Sequence, residues 1–213
     1  MERYILNVNH IANQDNASTF AYNPSSAYFY SNYTVPVIDQ VYSYTCGPAS
    51  YLQALIGNGT LTNSSNNTNS LAIEQAGEVI GTTPQNGSSV EYVTNALNTH
   101  NNPASYTWSI FTAFTYNQSI NMLQYAFMND ITPIVYVADT SWFNYYNGVS
   151  QRHFVTVASI NYQSQRIVIV DPNCEDEFRG RHEITFNEFY NAMKHSCKDD
   201  VFNSYIIGST SVD

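Results

Sequence analysis

The residues of this sequence that are best suited to chemistry begin with Gln40 and Cys46, a glutamine six positions before a cysteine. Apolar residues recur at helical spacing after the cysteine, so Cys46 is predicted to stand at the start of a helix. A helix N-terminus lowers the pKa of a thiol, which favours the nucleophilic thiolate. Gly47 lets another segment approach closely, and Pro48 suits a first helical turn. The alternative is that Cys46 is a small buried residue of the core.

A histidine and an aspartate stand at the same end of a predicted hairpin. His153 begins an alternating strand over 153–160, and Asp171 follows the return strand over 166–170. Antiparallel pairing around a turn at 161–165 places the two side chains within hydrogen-bonding distance. A thiol hydrolase needs a base for its cysteine and a group that orients the base. The alternative is an ordinary surface pair at a hairpin end.

A thiol hydrolase also needs donors for the oxyanion that forms during attack. The side-chain amide of Gln40 is predicted to supply one, beside the backbone N–H of Cys46. Without Cys46 nearby, Gln40 would be an ordinary loop residue. The remaining histidines are weaker candidates for the base, because none follows a loop into a strand with an acid on the partner strand: His10, His100, His182 and His195.

Taken together, these residues resemble the papain-like cysteine peptidases related to the bacteriocin-processing, double-glycine peptidases. The resemblance covers about residues 36 to 208 and rests on Gln40-x5-Cys46-Gly47-Pro48-Ala49, on RHFVTV at 152–157 and on IVIVDP at 167–172. It implies that Cys46 is the nucleophile, His153 the general base and acid, Asp171 its orienter and Gln40 the oxyanion donor.

The same resemblance implies an α+β, papain-like fold. A helical half bearing Cys46 would pack against an antiparallel sheet half bearing His153 and Asp171. No ABC-transporter membrane region follows in this sequence, so coupling to export is not expected. Cleavage after paired glycines is only one of the substrate preferences that remain open.

The surrounding periodicity agrees with helices first and an antiparallel sheet second, which is an α+β pattern. Helices are predicted at about 46–56, 70–80, 119–128 and 186–193. A further helix is predicted to begin after a cap at Ser88 or Ser89. Strands are predicted at 108–114, 132–137, 153–160, 166–170 and 202–207, with exposed loops at 60–69 and 174–181. Residues 1–35 are predicted to be an arm or edge strands, and 36–213 the peptidase domain.

A long loop at 139–151 follows the predicted strand over 132–137 and is rich in aromatic residues. Aromatic side chains supply large contact areas at low entropic cost. The loop is therefore predicted to wall a substrate cleft through Trp142, Phe143, Tyr145 and Tyr146. The alternative is that these side chains pack the loop onto its own domain.

Composition limits the classes of partner. The chain has 213 residues, 7 Lys and Arg against 17 Asp and Glu, and a net charge of -10. This balance argues against nucleic acid and anionic membranes as partners. Neutral polar residues and 18 tyrosines are typical of secreted or cell-surface proteins, so an extracellular or surface location is expected, although no signal peptide is visible. No apolar run is long enough for a membrane span.

The three cysteines are Cys46, Cys174 and Cys197. A disulfide between the second and third would leave Cys46 free, and three free thiols is the alternative. No cysteines or histidines have zinc-ligand spacing, and the acidic run at 175–177 has no calcium-loop spacing. We therefore expect neither a metal nor a cofactor.

The leading hypothesis is a cysteine peptidase or amidase that hydrolyses a peptide or isopeptide amide through a thioester. A peptide of a cell wall or a surface protein would suit such an enzyme. One alternative is an acyltransferase or transpeptidase, in which an amine resolves the same thioester. The other is a non-catalytic binding module that keeps the fold.

Overall fold

Helices and one antiparallel sheet make up the fold, seen in a computed structural model that describes residues 28–100, 106–112, 115–194 and 204–210. This is the mixed helix and antiparallel sheet class that the sequence predicts. The helices are α1 (Cys46–Gly57), α2 (Ser65–Thr68), α3 (Ser70–Ile80), α4 (Val90–His100), α5 (Tyr116–Met128) and α6 (Phe186–Lys194). The strands are β1 (Tyr28–Tyr30), β2 (Tyr106–Thr112), β3 (Ile134–Val137), β4 (His153–Asn161), β5 (Arg166–Asp171), β6 (Gly180–Thr185) and β7 (Ser204–Thr210).

The central strand of the sheet is β4. The strand order is β2-β7-β3-β4-β5-β6, and β1 pairs with β4 beside this series. Every residue of β4 except Asn161 is buried, as expected for a strand covered on both faces. The predicted hairpin over 153–160 and 166–170 is confirmed as β4 and β5.

Helix α1 is buried along nearly its whole length. It begins at Cys46, as predicted, and all of its later residues are buried. It packs against β4, where the Thr156 hydroxyl donates to Gln53 Oε1 at 2.9 Å. The helix ends before Gly59, whose φ of +83° lies in the left-handed region that glycine adopts readily. The packing of α1 against β4 therefore fixes the position of Cys46 relative to the strand that begins at His153.

Other elements differ from the predictions in detail. Helix α3 has the predicted ends and is capped by Asn69, whose side chain accepts from the Ala72 N–H at 2.8 Å. The segment 60–69, predicted to be a loop, contains the short helix α2. The strand predicted at 108–114 lies at Tyr106–Thr112, and residues 113–114 lie outside the described part.

Strand β6 was not predicted. The sequence predicts a loop over 174–181, but Gly180 and Arg181 already belong to β6. This strand pairs with β5 at the end of the sheet order. A strand in that position tolerates charged residues, so its sequence GRHEIT lacks a strong apolar signal.

The proposed N-terminal arm lies mostly outside the described residues, which begin at Tyr28. Strand β1 pairs with Ser159–Asn161 of β4, and the division between an arm and a domain stays a prediction. Cys197, His10 and His195 also lie outside the described residues. In the described part of the chain, none of the helices is long and apolar enough to cross a membrane.

Candidate active site

The thiol of Cys46 stands at the N-terminus of α1, where the helix packs tightly on its surroundings. Cys46 is half-buried and carries a free thiol. A Cβ at Gly47 would lie 2.4 Å from Ser88 Oγ, so the predicted close approach at Gly47 is confirmed. Because Cys46 is the first helical residue, its N–H has no acceptor within the helix.

The imidazole of His153 lies beside this thiol. His153 is the first residue of β4 and is 3% exposed. The imidazole interacts with the Cys46 thiol, and this interaction lowers the pKa of the thiol together with those of the backbone N–H groups of Phe154 and Gly47. The start of a sheet strand and the start of a helix therefore bring a base and a thiol into contact.

The carboxylate of Asp171 lies on the far side of the imidazole. His153 Nε2 is 2.8 Å from Asp171 Oδ1, and Asp171 is fully buried. In the β4–β5 ladder Thr156 pairs with Val170, so the two side chains meet diagonally across the end of the hairpin. Nε2 faces the carboxylate, which leaves Nδ1 for the thiol.

Four donors surround the Asp171 carboxylate. Besides His153, Oδ1 accepts from the Asn173 N–H at 2.9 Å. Oδ2 accepts from the Tyr145 hydroxyl at 3.0 Å and the Tyr146 hydroxyl at 2.9 Å. A buried carboxylate with this many donors stays ionised and has little freedom to rotate.

The prediction that the aromatic loop walls a cleft is wrong for two of its four residues. Phe143 and Tyr146 have no exposed surface, so they cannot contact a substrate in this structure. They belong to a buried aromatic cluster, in which Tyr146 stacks on Phe178 with ring centroids 4.5 Å apart. Trp142, 42% exposed, and the partly buried Tyr145 remain candidates for the wall.

The electrostatics of the site favour a charged thiol and a charged imidazole. Burial acts to raise the pKa of Cys46, but the hydrogen bond and charge of His153 hold that pKa below its ordinary value. Burial acts to lower the pKa of His153, but the Asp171 carboxylate and the Cys46 thiolate raise it to about 10. Burial also opposes ionisation of Asp171, yet the charge of His153 keeps the pKa of Asp171 below its usual range. The arrangement therefore favours a thiolate–imidazolium pair over a neutral thiol and imidazole.

Gln40 lies in the same region, on the segment that leads into α1. Its side chain is 3% exposed, and its backbone N–H donates to the Pro172 carbonyl at 2.7 Å, directly after Asp171. Between Gln40 and Cys46 the chain folds into a turn, in which the Thr45 hydroxyl donates to the Tyr42 carbonyl at 2.8 Å. Gln40 is thus held in place by the turn that follows β5.

Gln40 also has a partner that sequence reasoning did not identify. Its Nε2 donates to the sulfur of Cys174 at 3.6 Å. Cys174 is exposed and free, and Cys197, the predicted partner for a disulfide, lies outside the described residues. The two residues are 134 positions apart, so no local pattern points to their contact.

The other features considered from the sequence take no part in the contacts among Cys46, His153 and Asp171. Among the described residues, no group of three His, Cys, Asp or Glu side chains is placed to hold a metal ion. In the acidic run, Asp176 pairs with Arg179 at the surface. His182 stacks on Tyr145 with ring centroids 3.6 Å apart, and its Nε2–H donates to the Phe178 carbonyl at 2.8 Å.

Comparison with solved structures finds a similar fold in the crystal structure of a double glycine motif protease from an AMS/PCAT transporter in complex with the leader peptide. The folds are similar. The TM-score is 0.51 at 17% sequence identity, over 85% of this chain and 95% of the other. No family model matches the sequence, and no curated protein matches it. The predicted resemblance to the double-glycine peptidases is confirmed at the level of the fold.

Proposed function

We propose that this chain is a cysteine peptidase that cleaves a peptide or isopeptide amide, with Cys46 as its nucleophile. The single observation that supports this best is the continuous contact from the Cys46 thiol through His153 to Asp171. A histidine buried for packing alone needs neither a thiol on one nitrogen nor a carboxylate with four donors on the other. The fold of the similar protease supports the same class of chemistry.

In the proposed reaction, the Cys46 thiolate attacks the amide carbonyl and forms a tetrahedral oxyanion. The Gln40 amide and the Cys46 N–H would stabilise that oxyanion. The His153 imidazolium then gives its proton to the leaving amine, and the C–N bond breaks to leave a thioester on Cys46. Neutral His153 next takes a proton from water, which attacks the thioester and releases the acid. Asp171 orients the imidazole throughout.

A peptide or protein is the proposed substrate class. The similar protease was solved with a leader peptide, which supports a peptide ligand for this fold. Trp142 is exposed enough to contact such a chain, and we propose it as part of the cleft wall. An extracellular or cell-surface location, with a wall or surface peptide as substrate, is proposed from the acidic, tyrosine-rich composition.

Cleavage of a peptide mixture tests the proposal. The full chain is incubated under reducing conditions with a defined peptide library and with a fluorogenic peptide amide that ends in Gly-Gly. Mass spectrometry identifies the products. We expect new termini that are absent with Cys46→Ala and His153→Ala and retained with the exposed-site control Glu177→Ala. Products that persist with Cys46→Ala, or no cleavage by the intact chain, would overturn the proposal.

An added amine distinguishes hydrolysis from acyl transfer. Glycine amide is included at increasing concentration, and the products are compared by mass. A peptidase gives the free acid at all concentrations. If the amide-linked product dominates, the chain is an acyltransferase built on the same residues, and the hydrolytic assignment is wrong.

A further inference from the structure

The side chain of Gln40 has few means of being held in one orientation. It is 3% exposed, so its polar atoms depend on partners close by. Its Oε1 has no hydrogen-bond partner among the described residues, while its Nε2 donates to Cys174 Sγ at 3.6 Å. Within the described part of the chain, the contact with Cys174 is therefore the hydrogen bond that orients the amide.

A thiol is suited to this task because it both donates and accepts. An N–H of the amide donates to the sulfur when Nε2 faces Cys174. In this orientation the second N–H of Nε2 is left for another acceptor.

The turn after β5 joins the two ends of the site. Asp171 contacts His153, Pro172 accepts from the Gln40 N–H, and Cys174 contacts the Gln40 side chain. Between them, Asn173 donates its N–H to the Asp171 carboxylate. The four consecutive residues from Asp171 to Cys174 therefore include the orienter of the imidazole and also hold the candidate oxyanion donor in place.

A second contact joins the segment before α1 to the loop after β5. Arg179, further along the loop, forms an ion pair of 2.7 Å with Asp39, the residue before Gln40. This ion pair and the hydrogen bond from the Gln40 backbone N–H to Pro172 fix the backbone of the segment. Neither of them contacts the side-chain amide of Gln40. Control of the amide orientation falls to Cys174.

We propose that Cys174 is a positioning residue that orients the Gln40 amide for oxyanion stabilisation. This inference rests on the proposed function of the site. Cys174 does not touch the reacting atoms in this scheme; it acts only through Gln40. Loss of its sulfur should lower the rate of the chemical step while leaving substrate binding and the thiolate–imidazolium pair intact.

Steady-state kinetics on the Gly-Gly fluorogenic peptide amide test the proposal with Cys174→Ala, Cys174→Ser, Gln40→Ala and the Gln40→Ala/Cys174→Ala double variant. Cys174→Ala is expected to lower kcat about 10-fold with KM changed less than about twofold, because a misplaced group costs rate rather than affinity. Cys174→Ser, whose hydroxyl also donates and accepts, is expected to retain most of kcat. Glu177→Ala, in the same loop, serves as the matched control.

The double variant decides whether Cys174 acts through Gln40. Once Gln40 is alanine, removal of the sulfur should cause no further loss of kcat. An equal loss in both backgrounds, or an unchanged kcat with Cys174→Ala, would overturn the inference. A rise in KM without a fall in kcat would also overturn it, because that pattern means the loop contacts substrate directly.

A measurement without substrate separates this inference from the proposed function. The side-chain amide signals of Gln40 are assigned in ¹⁵N NMR spectra by their loss with Gln40→Ala. Cys174→Ala should shift them and Glu177→Ala should leave them in place. Unshifted signals contradict the contact even if the chain is a peptidase. Shifted signals in a chain that cleaves no peptide leave the contact standing but remove its catalytic role, so the inference fails together with the function.

Discussion

The imidazole of His153 and the carboxylate of Asp171 lie 2.8 Å apart, with both side chains buried at the end of one hairpin. At that separation and depth the carboxylate strongly favours the protonated imidazole, which in turn favours the Cys46 thiolate. The charge of each member thus depends on the other two.

Replacement of Asp171 by asparagine should move the alkaline limit of activity to lower pH. The thiolate–imidazolium pair exists between the lowered pKa of Cys46 and the raised pKa of His153, about 10. Asparagine keeps the shape of the side chain but removes the charge that raises the pKa of His153. The descending alkaline limb of kcat/KM should therefore begin at a lower pH, as measured by a pH–rate profile. Asp176→Asn, at the exposed Asp176, should leave the profile unchanged, and an unmoved limb in Asp171→Asn would contradict the account.

Tyr146→Phe should destabilise the fold more than Tyr145→Phe. The buried Tyr146 hydroxyl donates to Asp171 and accepts from Asn173 Nδ2 at 3.0 Å and Gln151 Nε2 at 3.3 Å. Its removal leaves buried donors without an acceptor, which costs about 1–3 kcal/mol of unfolding free energy. The Tyr145 hydroxyl makes one hydrogen bond, to Asp171. Denaturant unfolding measures both variants, and an equal or larger loss for Tyr145→Phe would show that the network is misassigned.

Gly47→Ala should destabilise the start of α1 through a steric clash. The added Cβ would lie 2.4 Å from Ser88 Oγ and 2.6 Å from Ser88 Cβ. Overpacking of this kind costs about 1–3 kcal/mol. The double variant Gly47→Ala/Ser88→Gly should recover part of that loss in thermal or denaturant unfolding. Recovery is the informative result, because a clash elsewhere would persist.

Gly77→Ala is the matched control for that clash. Gly77 is buried in α3, but the nearest atom to an added Cβ would be Pro48 Cγ at an ordinary 3.7 Å. Alanine favours a helix interior over glycine by up to about 1 kcal/mol, so this variant should be neutral or more stable. If both glycine variants lose the same stability, the close approach of Ser88 does not explain why residue 47 is a glycine.

Sequence reasoning succeeded where a local pattern decides the structure. Cys46 at the start of α1 and the hairpin of β4 and β5 follow from apolar periodicity and a short turn. The facing of His153 and Asp171 follows from that hairpin, because antiparallel pairing brings the start of one strand to the end of the next. These predictions needed no long-range information.

Prediction from the sequence failed where tertiary contacts decide which side chains are buried. The loop around Tyr146 has no periodicity that distinguishes an inward ring from an exposed one. Its two short 3₁₀ turns, Thr140–Trp142 and Asn144–Tyr146, direct Phe143 and Tyr146 into the core, and the second ends at Asn147 with φ of +51°. The contact between Gln40 and Cys174 joins distant segments and has no sequence signature. A buried acid at a strand end needs donors, so the tyrosines in the loop before β4 are the signal that could have indicated the Asp171 network.

The central claim is that His153 activates the Cys46 thiol, and site-resolved alkylation tests it most directly. The reduced chain is treated with limiting iodoacetamide from pH 5 to 9, and peptide mass spectrometry follows Cys46 and Cys174 separately. Cys46 is the less accessible of the two. The account predicts that Cys46 nevertheless reacts faster at pH 6, and that His153→Ala abolishes this advantage because the thiolate loses its partner. Faster labelling of Cys174 at pH 6, with Cys46 unaffected by His153→Ala, would contradict the account.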